Sequence, residues 1–333
     1  MSEEILGYLD HNILDSIRKG DPHEIKNLLK DHNITPIYSL ENLKEIKRSV
    51  GSEDIFLSTL QELGAKYIEP IIEKNLPTGS FNINKIDVFD VWKWFIENEE
   101  PMPEYGYGLT SMLEKFYGGR TDESFSDIFS KGSDELKTLL NEALKDLDSE
   151  EAFTEEMRTA IESLPELLKG QYQQISQDLD SHEQSPVKAF EKATGLGALV
   201  LKNIKPPNVV VQVFDYVKNS MEGVELDINM FFGVTPQLHE ANNNREKTLS
   251  EKVNGIYHQL NFLGYYRDTG MKNTRGFVRS SSDMTHAGVA SFCHLLLCRD
   301  EGLVVKASAA YEYLGIKTKI VYFQANKKIN KDT

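Results

Sequence analysis

The chain opens on a short apolar run, Glu4–Leu9 (EILGYL), that breaks at Asp10-His11-Asn12, the pattern of a buried strand followed by a polar turn. Asp21-Pro22 then starts a helix through Ile25, Leu28 and Leu29. Thr35–Ser39 predicts a second strand and Leu40 to Lys47 a helix. Ser52–Leu63 predicts another helix, with Ile55, Phe56, Thr59, Leu60 and Leu63 on one face, and Ala65–Ile68 follows Gly64 as a third strand. The far end repeats the rhythm. Asp283–Cys293 predicts a helix, His294–Cys298 (HLLLC) a strand, Arg299-Asp300-Glu301-Gly302 a break, Leu303–Leu314 a helix closed by Gly315, and Thr318–Phe323 a last strand. Strands alternating with helices predict an α/β fold with a parallel sheet.

The middle has a different period. Val88–Ile96, Thr110–Tyr117, Asp134–Leu147, Glu155–Leu168, Ser185–Leu201 and Val209–Met221 predict helices, although the run from Val209 to Phe214 also suits a strand. The organisation expected is a discontinuous α/β domain from residues 1–75 and 245–325, interrupted by a mostly helical insertion over 76–244. Residues 326–333 are expected as a frayed tail.

Composition narrows the class. The 333 residues are 40% hydrophobic and 27% charged, the balance of a globular chain. No apolar run nears the ~20 residues of a membrane span, and the acidic start, Met1-Ser2-Glu3-Glu4, lacks a signal-peptide pattern. A soluble cytoplasmic protein with no membrane partner is expected. Cys293 and Cys298 share one apolar stretch, which excludes a disulfide framework and a four-cysteine zinc site. The net charge of -15 argues against nucleic acid until it is partitioned. Residues 76–244 carry 14 basic against 30 acidic residues, whereas 245–333 carry 14 basic against 8 acidic. The C-terminal third is therefore basic, and nucleic acid stays open as a partner.

Most of the 52 acidic residues are expected as solvated surface charges. Position singles out a few, because sites in open parallel sheets form outside the carboxyl ends of strands. Asp10 directly follows the first strand and Asp300 lies two residues after HLLLC. Asp283 begins the helix before HLLLC, where an N-cap role would also account for it. Glu45 lies on the helix after the second strand, where a surface Glu paired with Lys is the plain account. Converging carboxylates repel one another unless cations neutralise them, and hard Mg²⁺ or Mn²⁺ suits such ligands.

These ends resemble PIN-domain nucleases. The run Tyr8-Leu9-Asp10-His11-Asn12-Ile13-Leu14-Asp15 looks like the family's opening strand, which ends in Asp with a polar residue two places later. Ile37-Tyr38-Ser39 followed by Leu43-Lys44-Glu45-Ile46 is similar to its second strand and acid-bearing helix. Asp283-Met284-Thr285-His286-Ala287 resembles the third acidic motif. Leu297-Cys298-Arg299-Asp300-Glu301-Gly302-Leu303, with Lys306-Ala307 beyond, resembles the fourth. Cys298 stands where the family usually has Thr or Ser, a departure that weakens an expected hydrogen bond in the site. The resemblance covers about 1–75 and 250–325. It implies a PIN-like fold and Mg²⁺- or Mn²⁺-dependent hydrolysis of phosphodiesters, more often in RNA. Asp10, Glu45, Asp283 and Asp300 would be catalytic, with Asp10, Asp283 and Asp300 as metal ligands. Asn12 and His286 would support the site, and each also has a purely structural account. The long separation of Glu45 from Asp283 makes the middle an insertion outside the resemblance, expected as a gate or a surface for a protein partner.

One further segment carries candidate chemistry. Tyr265–Arg279 sets Tyr265, Tyr266 and Phe277 among Arg267, Lys272, Arg275 and Arg279, against the single acid Asp268. Cations for phosphates and rings for stacking suit a single strand of nucleic acid, and a solvated loop is the plain alternative. Two other functions compete with the nuclease. One is a PIN-like interaction or regulatory module with little or no nuclease activity. The other is a phosphohydrolase using Asp10 as nucleophile, disfavoured because Asn12 replaces the second acid of an Asp-x-Asp motif.

Overall fold

A computed structural model of the protein describes residues 4–73, 76–98, 107–147, 154–221, 223, 225–235 and 245–324. The chain begins β1 (Ile5–Leu9), α1 (His11–Arg18), α2 (Ile25–Asp31), β2 (Ile34–Ser39), α3 (Leu40–Arg48), α4 (Glu53–Glu62), β3 (Lys66–Glu73), β4 (Leu76–Asn84) and α5 (Val88–Asn98). It continues α6 (Tyr107–Phe116), α7 (Phe125–Leu147), α8 (Glu155–Asp180), α9 (Pro186–Thr194), α10 (Ala198–Leu201), α11 (Val209–Ser220), α12 (Ile228–Phe231) and α13 (Leu249–Leu263). It closes with α14 (Thr274–Ala290), β5 (Leu295–Cys298), α15 (Glu301–Leu314) and β6 (Lys319–Tyr322). The expected tail over 326–333 lies outside the described residues.

The chain is α/β. Its sheet runs in the order β4-β3-β2-β1-β5-β6, parallel throughout except for β4, which returns antiparallel against β3. Tyr8 and Leu9 of β1 and Leu296 to Cys298 of β5 are buried, as central parallel strands require. Gly7 lets β1 approach β2 closely: a Cβ there would lie 2.6 Å from Ile34 Cγ2. The polar turn expected at Asp10-His11-Asn12 is instead the start of α1, whose buried Ile13, Leu14 and Ile17 face the core. They join Leu9, Leu43, Ile46, Phe56, Leu57 and Leu60. Fully burying each such side chain contributes about 1.5–3 kcal/mol.

Two compact units divide the chain. The first comprises Met1–Glu99, Leu196–Arg267 and Ser281–Thr333, and the second Glu100–Gly195 and Asp268–Ser280. This division differs from the one expected at 76 and 244, for two physical reasons. Residues 76–84 form a strand rather than a helix and extend the sheet through a hairpin, while Val88, Val91 and Phe95 of α5 enter the sheet's core. On the other side of the interruption, α11 is a helix that packs on α15 and buries Val209, Val210, Val213 and Val217. Helix α13, which was not among the expected elements, packs against α15 as well.

The second unit is helical. Helix α7 pairs with α6 and α8. Glycines permit the α6–α7 approach, since a Cβ on Gly108 would meet Gly132 Cα at 3.0 Å. Asp180 accepts from the backbone N–H groups of Phe125 and Ser126 at 2.6 and 3.0 Å, satisfying the first turn of α7. Helix α8 runs through Pro165 well past Leu168, and Phe129 stacks on Tyr172 with centroids 5.1 Å apart. Among the described residues, no helix is long and apolar enough to cross a membrane.

Candidate metal centre at the strand ends

Strand β1 is paired on one side by β2 and on the other by β5, so the sheet is extended in both directions from it. Such a switch point opens a crevice at the carboxyl ends of the strands. Asp10 sits there. Its N–H donates to the Leu297 carbonyl of β5 at 3.1 Å, and its backbone oxygen accepts from Ile13 N–H at 2.9 Å. Although Asp10 is the N-cap of α1, its carboxylate makes no cap bond. Oδ2 accepts from Asn12 Nδ2 at 3.1 Å. Oδ1 is buried with no hydrogen-bond partner among the described residues.

Glu45 arrives from α3. Ser39 and Asn42 close a capping box at the start of that helix, and Asn42 Nδ2 also donates to the Leu9 carbonyl at 2.8 Å. Asn42 thus ties the first turn of α3 to the end of β1, one turn before Glu45. His286 comes from α14. Its side chain is fully buried, its Nε2–H donates to Glu45 Oε2 at 2.8 Å, and the same nitrogen lies 3.8 Å from Asp10 Oδ1. Asp10, Glu45 and His286 each offer one donor atom within 4.8 Å of the other two. Tyr8 and Asp10 lie two apart on a strand end and share a face. The Tyr8 hydroxyl bonds His286 Nδ1 at 2.8 Å and Ser39 Oγ at 2.7 Å.

Burial pushes the Asp10 carboxyl up to about 6; His286 pulls it down, while Glu45 and Asp300 add to the rise. Burial also raises Glu45, but His286, His11 and Arg48 outweigh it and hold the carboxyl below its ordinary value. His286 shows the complementary balance. Burial disfavours its charge, yet Tyr8, Glu45 and Asp10 hold the imidazole well above its ordinary value. Burial pushes the Tyr8 phenol up to about 12. The resulting state is an imidazolium beside Glu45 with a buried Asp10 next to both.

The other expected acids stand apart from this donor group. Asp300 is the N-cap of α15, and its Oδ1 accepts from Leu303 N–H at 2.9 Å. Asp283 is buried on α14, one turn before His286. Neither belongs to the set of mutually close donors, yet both act on the same region. Burial raises the Cys298 thiol first, and Asp10, Asp300 and Asp283 raise it further. Cys298 is fully buried at the end of β5.

Several neighbours carried no sequence signal that drew attention to them. Glu41 accepts from Ser282 Oγ at 2.6 Å, and Arg48 Nη2 donates to that hydroxyl at 2.8 Å while lying 3.8 Å from Glu45 Oε1. His11 Nδ1 is 4.0 Å from Glu45 Oε2 and has no hydrogen-bond partner among the described residues. Tyr8 was within reach of the alternation argument, and Ser39 and Asn42 within reach of the capping motif. The contact from Ser282 to Glu41 spans 241 residues and has no local signature.

The basic, aromatic segment is divided between the two units. Tyr265 and Arg267 fall in the first unit, Lys272, Arg275 and Arg279 in the second. Tyr265 is a core residue rather than a stacking platform, only 1% exposed, because the chain turns inward after Gly264 closes α13. Phe277 is likewise buried. Tyr266 accepts from Lys306 through its backbone oxygen and from Lys205 through its hydroxyl. Arg267 is spent on the Asn261 and Phe262 carbonyls, at 3.2 and 2.7 Å, and Arg279 on the carbonyl and hydroxyl of Thr269 at 2.9 Å. Lys272 and Arg275 are exposed.

Asp10, Glu45 and His286 form a group that could hold a metal ion. Two ligand atoms each ~2.1 Å from one ion lie roughly 3.0–3.4 Å apart, for right-angled and tetrahedral arrangements respectively. The 2.8 and 3.8 Å separations of His286 Nε2 from its two acids bracket that range. Asp10 Oδ1, which has no hydrogen-bond partner among the described residues, is an oxygen such an ion would satisfy. Comparison with protein-family models, curated proteins and solved structures finds no match to this chain.

Proposed function

We propose that this chain is a metal-dependent endonuclease that hydrolyses phosphodiesters, with RNA as substrate and Mg²⁺ or Mn²⁺ as cofactor, on a PIN-like body. The observation that carries the reading is the Asp10 oxygen that accepts no hydrogen bond among the described residues, buried beside Glu45 and 3.8 Å from His286 where β1 ends. An unsatisfied carboxylate oxygen in a dry pocket costs stability, and a cation removes that cost. Asp10 and Glu45 would hold the ion, with His286 beside them and Asn12 orienting Asp10 through Oδ2. Asp283 and Asp300 would add negative potential around them. A bound ion would supply charge neutralisation at a phosphoryl oxygen and an acidified water. Arg48, whose side chain is 41% exposed next to Glu45, is a cation that would meet a phosphate at the rim.

The experiment is cleavage of single-stranded RNA by metal-stripped protein, with and without added Mn²⁺ or Mg²⁺. Metal-dependent product from the wild type and none from Asp10→Asn is the expected result. Equal cleavage by both proteins refutes the assignment. A second reading, an interaction module without catalysis, draws on α8, where Met157, Leu164, Leu167 and Ile175 are exposed apolar side chains. It predicts no metal-dependent product from either protein.

A further inference from the structure

The donors at the end of β1 are not all oxygen. Resting on the metal-centre reading above, we infer that His286 Nε2 is itself a ligand and that the centre selects a first-row transition ion, Mn²⁺ or Zn²⁺, over Mg²⁺. Three observations carry this. Of the three donors that lie within 4.8 Å of one another, one is an imidazole nitrogen. Imidazole suits Zn²⁺ and its transition neighbours, whereas Mg²⁺ requires oxygen ligands and keeps several waters.

Burial is the second observation. Asp10 is 1% exposed and His286 0%, so the ligand face they form is shielded from solvent, whereas Mg²⁺ keeps several waters. The third is the support behind the ring. A ligating histidine has its other nitrogen fixed by a hydrogen-bonding partner, which sets the ring's orientation. His286 Nδ1 meets the Tyr8 hydroxyl, which meets Ser39 Oγ, and Ser39 is held by the capping box with Asn42. That chain of bonds turns Nε2 toward Asp10 Oδ1 and Glu45 Oε2. His11 sets a second imidazole nitrogen 4.0 Å from the same Glu45 oxygen, on a residue adjacent to Asp10.

The test uses the full chain, stripped of metal and titrated separately with Mn²⁺, Zn²⁺ and Mg²⁺ by calorimetry, together with pulsed electron paramagnetic resonance of the Mn²⁺ form. Expected are Mn²⁺ and Zn²⁺ binding at least about a hundredfold tighter than Mg²⁺, and nitrogen hyperfine coupling that changes when histidine is labelled with heavy nitrogen. Asp10→Asn removes that signal, which assigns the ion to this site. Tyr8→Phe keeps the ring but removes the Nδ1 partner, and lowers Mn²⁺ affinity about tenfold. His286→Gln lowers it further, and because that buried change endangers folding, the spectroscopy of the wild type stands as the primary measurement. Mn²⁺ bound without histidine coupling, or Mg²⁺ bound as tightly as Mn²⁺, overturns this inference and leaves the nuclease reading intact. A signal that survives Asp10→Asn overturns it too, because the ion then lies elsewhere. Failure of every ion to bind overturns both.

Discussion

Strands β1 and β5 are neighbours, parallel, and end alike: an apolar run, an aspartate at the N-cap position, then a helix. Their carboxylates go to different places. Asp300 gives Oδ1 to the Leu303 N–H and remains partly exposed, a cap that stabilises α15. Asp10 gives α1 nothing from its side chain, is buried, and leaves one oxygen without a hydrogen bond among the described residues, 3.8 Å from His286 Nε2. One aspartate contributes stability and the other costs it. The difference teaches that a strand-end position nominates an acid, whereas an uncompensated cost separates a candidate site from a cap.

The largest contrast between the two positions lies in metal-dependent chemistry. On the proposed reading, Asp10→Asn abolishes Mn²⁺-dependent RNA cleavage, while Asp300→Asn, which keeps a capping oxygen, retains most of it. Melting curves of the metal-free proteins complete the test. Asp10→Asn is expected to melt at or above the wild-type temperature, because it removes a buried charge next to Glu45 without creating a cavity. A markedly lower melting temperature for Asp10→Asn would make Asp10 structural and erase the contrast.

Acidity sharpens the same contrast. Asp10 has a folded pKa of about 6 against an ordinary 3.8, so between those values the folded chain holds a proton that the unfolded chain has lost. Stability of the metal-free protein therefore falls as pH rises through that window, by about 3 kcal/mol for a shift of this size. His286 continues the trend. Its folded pKa lies well above 6.5, so its stabilising contribution is complete below that value and is lost as pH climbs through the folded one. Glu45 acts in the opposite sense, but it has titrated in both states by about pH 5. His11 and His258, which burial holds below 6.5, also oppose the trend as pH rises toward that value. The contribution of Asp10 is therefore read by difference: urea unfolding in chelator is expected to show wild-type stability falling with pH relative to Asp10→Asn in the acidic part of the curve. Added Mn²⁺ should stabilise more as pH rises, because the ion and the His286 proton compete for one nitrogen. Wild-type and Asp10→Asn curves with the same acidic slope refute this account.

Removing a cap is a smaller perturbation. Asp300→Ala is expected to cost about 1 kcal/mol, the usual worth of an N-cap side chain. The loss should appear in the denaturation midpoint, with metal affinity little changed. If affinity for Mn²⁺ falls as steeply as with Asp10→Asn, Asp300 is a ligand in the working state and the two strand ends are alike after all.

Much of the sheet was legible because its strands are nearly continuous apolar runs broken by turn residues, as in Ile5–Leu9 and Leu295–Cys298. Gly315 closes α15 in the left-handed conformation, φ +67°, as its position after Leu314 suggested. Strand β4 escaped notice because its exposed edge, LPTGSFNIN, follows no apolar alternation strong enough to outweigh the helical pattern downstream. Within the site, Asp10 could be nominated from its position after β1, and Glu45 only through the resemblance of its helix to an acid-bearing one. His286 could be noticed, but not its role, because its partners Tyr8 and Glu45 lie 278 and 241 residues away. Local sequence carries capping and periodicity; it does not carry which buried group a distant helix delivers.

The smallest effect concerns the cations expected to meet nucleic acid, where the same distinction between spent and exposed side chains applies. Lys272, Arg275 and Arg279, in the same unit, are all exposed, but Arg279 is held by the carbonyl and hydroxyl of Thr269. Sequence alone made these cations equivalent. If RNA meets this segment, Arg275→Glu should weaken binding and reduce the slope of log affinity against log salt by roughly one unit, the loss of one phosphate contact. Lys272→Glu should do the same. Arg279→Gln should instead loosen the turn that begins at Thr269, lowering thermal stability and leaving the salt slope nearly unchanged. Filter binding of a short RNA across a salt series, paired with melting curves, separates the two kinds of cation. An Arg279→Gln protein that loses salt dependence while Arg275→Glu keeps it would reverse the assignment, and the hydrogen bonds of Arg279 would then mark a resting position that RNA displaces.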